Sequence, residues 1–139
     1  MRSVKLVMSL VALMLAPAPL ILAHHSFAAE YHANLITLHG TIIKFAWINP
    51  HTRIYLDVKD ANGLVTKWEC EGSSPSGLTT NGWNKGSLKP GDHVTIEGFP
   101  GKDRPNICKA RTVKLPDGRR LIMGSISTCT QSEIGVSCS

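Results

Sequence analysis

Between residues 36 and 123 the chain alternates apolar and polar positions with the two-residue period of half-buried strands. In residues 36–45, Ile36, Leu38, Gly40 and Ile42 fall on one face and Thr37, His39, Thr41 and Ile43 on the other. Gly40 in mid-strand predicts a bend or bulge there. Residues 53–59 put Ile54, Leu56 and Val58 inward and Arg53, Tyr55, Asp57 and Lys59 outward. Asp60-Ala61-Asn62-Gly63 is a hairpin signal, and residues 64–71 form a third strand with Trp68 and Cys70 on one side and Glu69 and Glu71 on the other. Ser74-Pro75 opens a short helix that should stop at Gly82. Strand four spans residues 93–98 with Val94 and Ile96 inward. Strand five spans residues 107–115, and its inward set slips from Cys108 and Ala110 to Val113 and Leu115, which predicts a bulge near Thr112. Pro116-Asp117-Gly118-Arg119 is a tight turn, after which Arg120 to Met123 has room for one more short strand.

Five strands with a helix between the third and fourth have the order of an oligonucleotide/oligosaccharide-binding (OB) barrel. The expected fold class is therefore all-β: a small five-stranded OB-like barrel over residues 35–123. The core of so short a domain is small enough that disulfides would supplement it. In this topology strands three and five run parallel, with Cys70 late in one and Cys108 early in the other. They are read either as a bridge or as two free core thiols.

The remaining chain is not barrel. Arg2 and Lys5 precede an apolar run from Leu6 to Ala16, and Pro17 and Pro19 then interrupt any helix. A basic start and a short apolar stretch read as a secretory signal peptide over residues 1–23. Cleavage after Ala23 would leave His24 first, whereas cleavage after Ala28 would discard His24 and His25 together. Residues 24–34 show weak periodicity and read as an extended or loosely coiled lead-in. Residues 124–139 form a polar tail in which Cys129 and Cys138 would close a short loop, worth about 2.5–3 kcal/mol by chain entropy. Four cysteines in an exported chain suggest disulfides; zinc would need close C-x2-C pairs, which this chain lacks.

Net charge is a weak guide. The chain has 15 Lys+Arg against 10 Asp+Glu, and two of the cations belong to the leader. The densest basic stretch is Lys109, Arg111, Lys114, Arg119 and Arg120, read as a solvated strand face rather than a nucleic-acid footprint. No nucleic acid and, after leader cleavage, no membrane is expected as a partner.

Two corners carry tryptophan beside turn residues: Ala46-Trp47-Ile48-Asn49-Pro50-His51 and Gly82-Trp83-Asn84-Lys85-Gly86. With the start His24-His25-Ser26-Phe27-Ala28-Ala29-Glu30-Tyr31, the run Tyr55-Leu56-Asp57-Val58 and the turn Ser87-Leu88-Lys89-Pro90-Gly91-Asp92, they resemble an exported bacterial family catalogued as domain of unknown function 6152. The resemblance covers roughly residues 24–123. It implies a Gram-negative exported protein, an OB-like barrel and no established activity. Its His-His-Ser-Phe start directly after a signal peptide favours cleavage at Ala23. This chain departs from the family in His32, in Cys70 and in its cysteine-bearing tail.

These residues allow three functional classes. A free amino group with the His24 imidazole can chelate Cu(II), and His25 or His51 could complete a tetragonal set, which makes copper the candidate cofactor. A small-ligand or protein-partner binding module would use the face of strands two and three, with Tyr55 outward and Trp47 and Trp83 as stacking platforms. The alternative duty of both tryptophans is to plug the barrel ends. Catalysis is the least supported: no nucleophile motif or carboxylate pair stands at a telling spacing, and Glu69 and Glu71 read as solvating their strand. The expectation is a periplasmic binding protein that is not an enzyme, with an unknown small ligand, metal ion or periplasmic protein as partner.

Overall fold

The structure, a computed structural model, describes residues 27–124. Its elements are α1 (Phe27–Glu30), β1 (Ile36–Ala46), β2 (Arg53–Lys59), β3 (Val65–Glu71), α2 (Pro75–Thr80), β4 (His93–Pro100), β5 (Ile107–Lys114) and β6 (Arg120–Ile122). The strand order is β3-β2-β1-β4-β5-β6, and a parallel β3–β5 pairing closes the first five strands into a barrel. The mixed five-stranded barrel with α2 between β3 and β4 is the fold expected from the alternation.

Alternation places the core. Leu38 and Ile42 from β1, Ile54 and Leu56 from β2, Cys70 from β3, Val94 and Ile96 from β4, and Ala110 and Val113 from β5 are all buried. Burying such side chains is the main stabilising term, at about 25 cal/mol for each Å² of apolar surface removed from water. The barrel curls by irregularities in β1 and β5. In β1 the register against β2 slips between Ile42 and Lys44, so Ile43 is the extra residue and not Gly40. Gly40 serves a different need: a Cβ there would stand 2.7 Å from Leu56 Cδ1 and 2.8 Å from the Asp57 carbonyl. Its missing side chain lets β2 close on β1. In β5, Glu97 pairs with Thr112 and Gly98 with Ala110, leaving Arg111 as the extra residue, next to the position the sequence pointed to.

The helix signals act as expected. The Ser74 side chain accepts from the Gly77 amide, Pro75 occupies the first turn, and Gly82 takes φ +82° just beyond the Asn81 cap. In the lead-in, expected to be extended or loosely coiled, Phe27–Glu30 makes one helical turn. That turn puts Phe27 and Tyr31 on one side, where Phe27 packs on Tyr31 (centroids 5.6 Å apart) and edge-on to Phe99 (5.0 Å). Tyr31 then bridges to Gly101, and His32 donates its amide to the Pro100 carbonyl, which ties the N-terminal segment to the end of β4.

The basic stretch is not simply a solvated face. Arg111 is only 7 % exposed, and among the described residues its Nε and Nη2 have no hydrogen-bond partner. Arg120 pairs with Glu97 at 2.7 Å, Arg119 with Asp117 at 2.8 Å and Lys109 with Glu71 at 2.6 Å. No helix among the described residues is long and apolar enough to cross a membrane.

Candidate functional site

The parallel seam between β3 and β5 determines what meets outside the barrel. Cys70 lies directly opposite Cys108, with Cα atoms 4.5 Å apart, and the two are bridged. Because both point inward, their neighbours point outward. Glu71 therefore lies beside Lys109, and the antiparallel β2–β3 ladder puts Arg53 on its other side. Arg53 meets Glu71 Oε2 at 3.5 Å and forms a close ion pair with Glu69, two residues away along β3 on the diagonal. Hydrogen bonding to Glu69 raises the Arg53 guanidinium above its ordinary value, against the opposing effect of burial.

His51 reaches the same carboxylate from the β1–β2 corner. The Asn49-Pro50 bond is cis. Beyond it, Thr52 is fully buried: its amide and hydroxyl both donate to the Ser73 carbonyl, at 3.1 and 2.9 Å, while its own carbonyl accepts from Gly72. This extends the β2–β3 ladder past Arg53 and brings His51 Nδ1 to 2.7 Å from Glu71 Oε1, with the imidazole side chain 46 % exposed. Glu71 thus gathers an imidazole, a guanidinium and an ammonium.

Above this network lies a cleft of about 480 Å³, walled by Tyr31 on the N-terminal segment, Arg53, Glu69 and Glu71 on the sheet, and Asp103 and Arg104 on the β4–β5 loop. Tyr31 is 8 % exposed. Burial first, then the negative charges of Glu71 and Glu30, push its phenol up to about 12, so it stays protonated and can donate a hydrogen bond. A second cleft of about 470 Å³ lies across the Glu71–Lys109–His51 contact, lined by His51, Ser73, Ser74, Thr80, Asn81 and Lys109 among others.

Of the metal and ligand candidates among the described residues, only His51 stands in this arrangement, beside the bridged Cys70 and Cys108. Tyr55 is half-buried on the outer face, opposite Glu69, with Lys44 Nζ 5.9 Å from its ring centroid. Trp47 is half-buried and lies edge-on to Phe45, with centroids 5.5 Å apart. Trp83 is corrected from platform to plug: it is 2 % exposed and its indole N–H donates to the Ile122 carbonyl at 2.8 Å, so its ring is enclosed by the core and β6. Glu69 and Glu71 are corrected from solvated to ion-paired. His24, His25, Cys129 and Cys138 lie outside the described residues, and among the described residues no three His, Cys, Asp or Glu side chains are grouped to hold a metal ion. Tyr31, Arg53, Glu69, Glu71, Arg104 and Lys109 stand outside the sequence-based candidates. The outward alternation on strands two, three and five could have flagged four of them, once those strands are taken as neighbours.

The fold defines the class: a closed five-stranded barrel of the OB-like kind, carrying a charged cleft beside its β3–β5 seam. The chain belongs to the family of unknown function DUF6152, whose model matches residues 12–108. That match ends at Cys108, the second cysteine of the bridge. No curated protein matches the chain.

Proposed function

We propose that this is an exported, periplasmic binding protein whose ligand occupies the Tyr31–Arg53–Glu71 cleft, and that it binds without catalysing a reaction. The observation that carries the reading is the cleft's position. It stands on the β2–β3 face beside the β4–β5 loop, which is where OB barrels take their ligands, and His51 of the β1–β2 corner holds its Glu71 wall from outside the lining. Its polar groups are fixed by one another, with Arg53 on Glu69 and Glu71, and Lys109 and His51 on Glu71. Such preorganisation suits recognition of a small polar ligand with charged groups. A phenol held protonated is a donor rather than a base. Export is supported by the basic and apolar leader and by the bridged Cys70–Cys108 pair, which suits an oxidising compartment.

The test is amide chemical-shift mapping of the mature chain with free arginine, free glutamate and N-acetylglucosamine. At least one probe should move the amides of Tyr31, Arg53 and Glu71 first. If all three leave those amides in place, the cleft reading fails.

One observation favours a second reading, copper at the mature N-terminus. With Nδ1 of His51 held by Glu71, its Nε2 is the nitrogen left to meet a ligand, as when a carboxylate orients a metal-binding imidazole. His24 and His25 would supply the other donors. A chain beginning at Ala28 should then bind Cu(II) at least tenfold more weakly than one beginning at His24; equal titrations of the two would exclude it.

A further inference from the structure

The two clefts differ in polarity. In the first, the carboxylates Glu30, Glu69, Glu71 and Asp103 outnumber the guanidiniums Arg53 and Arg104. The Tyr31 phenol senses the balance: after burial, the carboxylates Glu71 and Glu30 act on it more strongly than Arg53 and Arg104 do. Among the described residues, no carboxylate lines the second cleft. Its charged groups are Lys109 and, when protonated, His51, set among the hydroxyls of Ser73, Ser74 and Thr80 and the carboxamide of Asn81. Glu71 links them: it lines the first, and its Oε1 lies 2.6 Å from Lys109 Nζ and 2.7 Å from His51 Nδ1, which line the second.

We infer that the two clefts form one elongated site for a short peptide with free termini, its amino end over the carboxylates of the first cleft and its terminal carboxylate over Lys109 and His51 in the second. This rests on the reading of the first cleft as a ligand site and adds the ligand's class, length and direction. An ammonium gains from Glu69 and Asp103 and could accept no bond from a guanidinium. A carboxylate takes a charge-assisted hydrogen bond from the Lys109 ammonium, and a second from the His51 ring when it is protonated, each at about twice the strength of a neutral one. Lys109 keeps two further N–H donors after its bond to Glu71, because an ammonium carries three. Two clefts of about 480 and 470 Å³ together suit a chain of a few residues rather than a single amino acid.

The experiment is an amide-shift titration of the full mature chain with tetra-alanine, with its N-acetyl form and with its C-terminal amide. Tetra-alanine should perturb Glu69 and Arg104 on one side and Ser73 and Asn81 on the other, and each cap should weaken binding at least tenfold. In Lys109→Met the free acid and the amide should bind alike, while the N-acetyl penalty remains. Capped and uncapped peptides binding equally, or shifts confined to one cleft, would overturn the inference. If tetra-alanine fails but one of the single-residue or sugar probes still fills the first cleft, the peptide assignment alone is lost. If no probe reaches that cleft, the site reading falls with it.

Discussion

Glu71 is the side chain on which the cleft depends most. It meets His51, Arg53 and Lys109, each delivered by a different segment of the chain. Nothing at Glu71 itself marks it: two glutamates two residues apart on a strand ordinarily face water. Their partners become visible only when the registers of β2 against β3 and of β3 against β5 are known. Tyr31 was less legible still, because its neighbours lack a period and the Phe27 ring it packs on is itself packed on Phe99, far away in sequence. Tyr31 also offers a direct check at this scale. The chain has two tyrosines, so in Tyr55→Phe the remaining phenol should titrate by its ultraviolet phenolate absorbance near 12 rather than at the ordinary 10.0. The sign comes from linkage. The unfolded chain releases this proton near 10 and the folded chain only near 12. Stability from the raised value is thus fully present below pH 10 and is lost as pH climbs to 12. A midpoint at 10 would contradict the buried placement.

Among the elements, the strands were the most legible part. Their alternation put Ile54, Leu56, Val94, Ile96 and Val113 in the core correctly, and the slipped inward set of strand five pointed to within one residue of the Arg111 irregularity. The bulge in β1 was misplaced because Gly40 has a second possible use, close approach of a neighbouring strand, and periodicity cannot separate the two. The seam between β3 and β5 pairs only three residues on each side, so its closure rests heavily on the Cys70–Cys108 bridge. A cross-link spanning 38 positions should contribute about 3–4 kcal/mol by limiting the unfolded chain. The double variant Cys70→Ala, Cys108→Ala should lose about that much in urea unfolding. An unchanged urea midpoint would show that the hydrogen-bonded seam holds without the bridge. The same variant should loosen the cleft, because Glu71 and Lys109 are the residues next to the two cysteines.

Taken together, the closed barrel explains why the two tryptophan corners, so prominent in the sequence, are mostly architecture. Trp83 fills the core under β6, and Trp47 and Phe45 pack at the edge of the same cluster. The chemistry lies beside them, where three strands and the β1–β2 corner bring His51, Arg53, Glu69, Glu71 and Lys109 together. Among the described residues, only His51 belongs to both the conspicuous corner and the charged group around Glu71, and the sequence suggested it as an imidazole able to complete a copper set.

If ligand binds over Tyr31, Arg53 and Glu71, titrating the mature chain and its Arg53→Met variant with the same small charged probes, and mapping the shifted amides, will show it. The expected result is a continuous footprint on Tyr31, Arg53, Glu69, Glu71 and Arg104, with affinity at least tenfold weaker in Arg53→Met. A footprint elsewhere on the barrel, such as the His39–His93 groove on the outer face of β1 and β4, or equal affinity in the two chains, would contradict it.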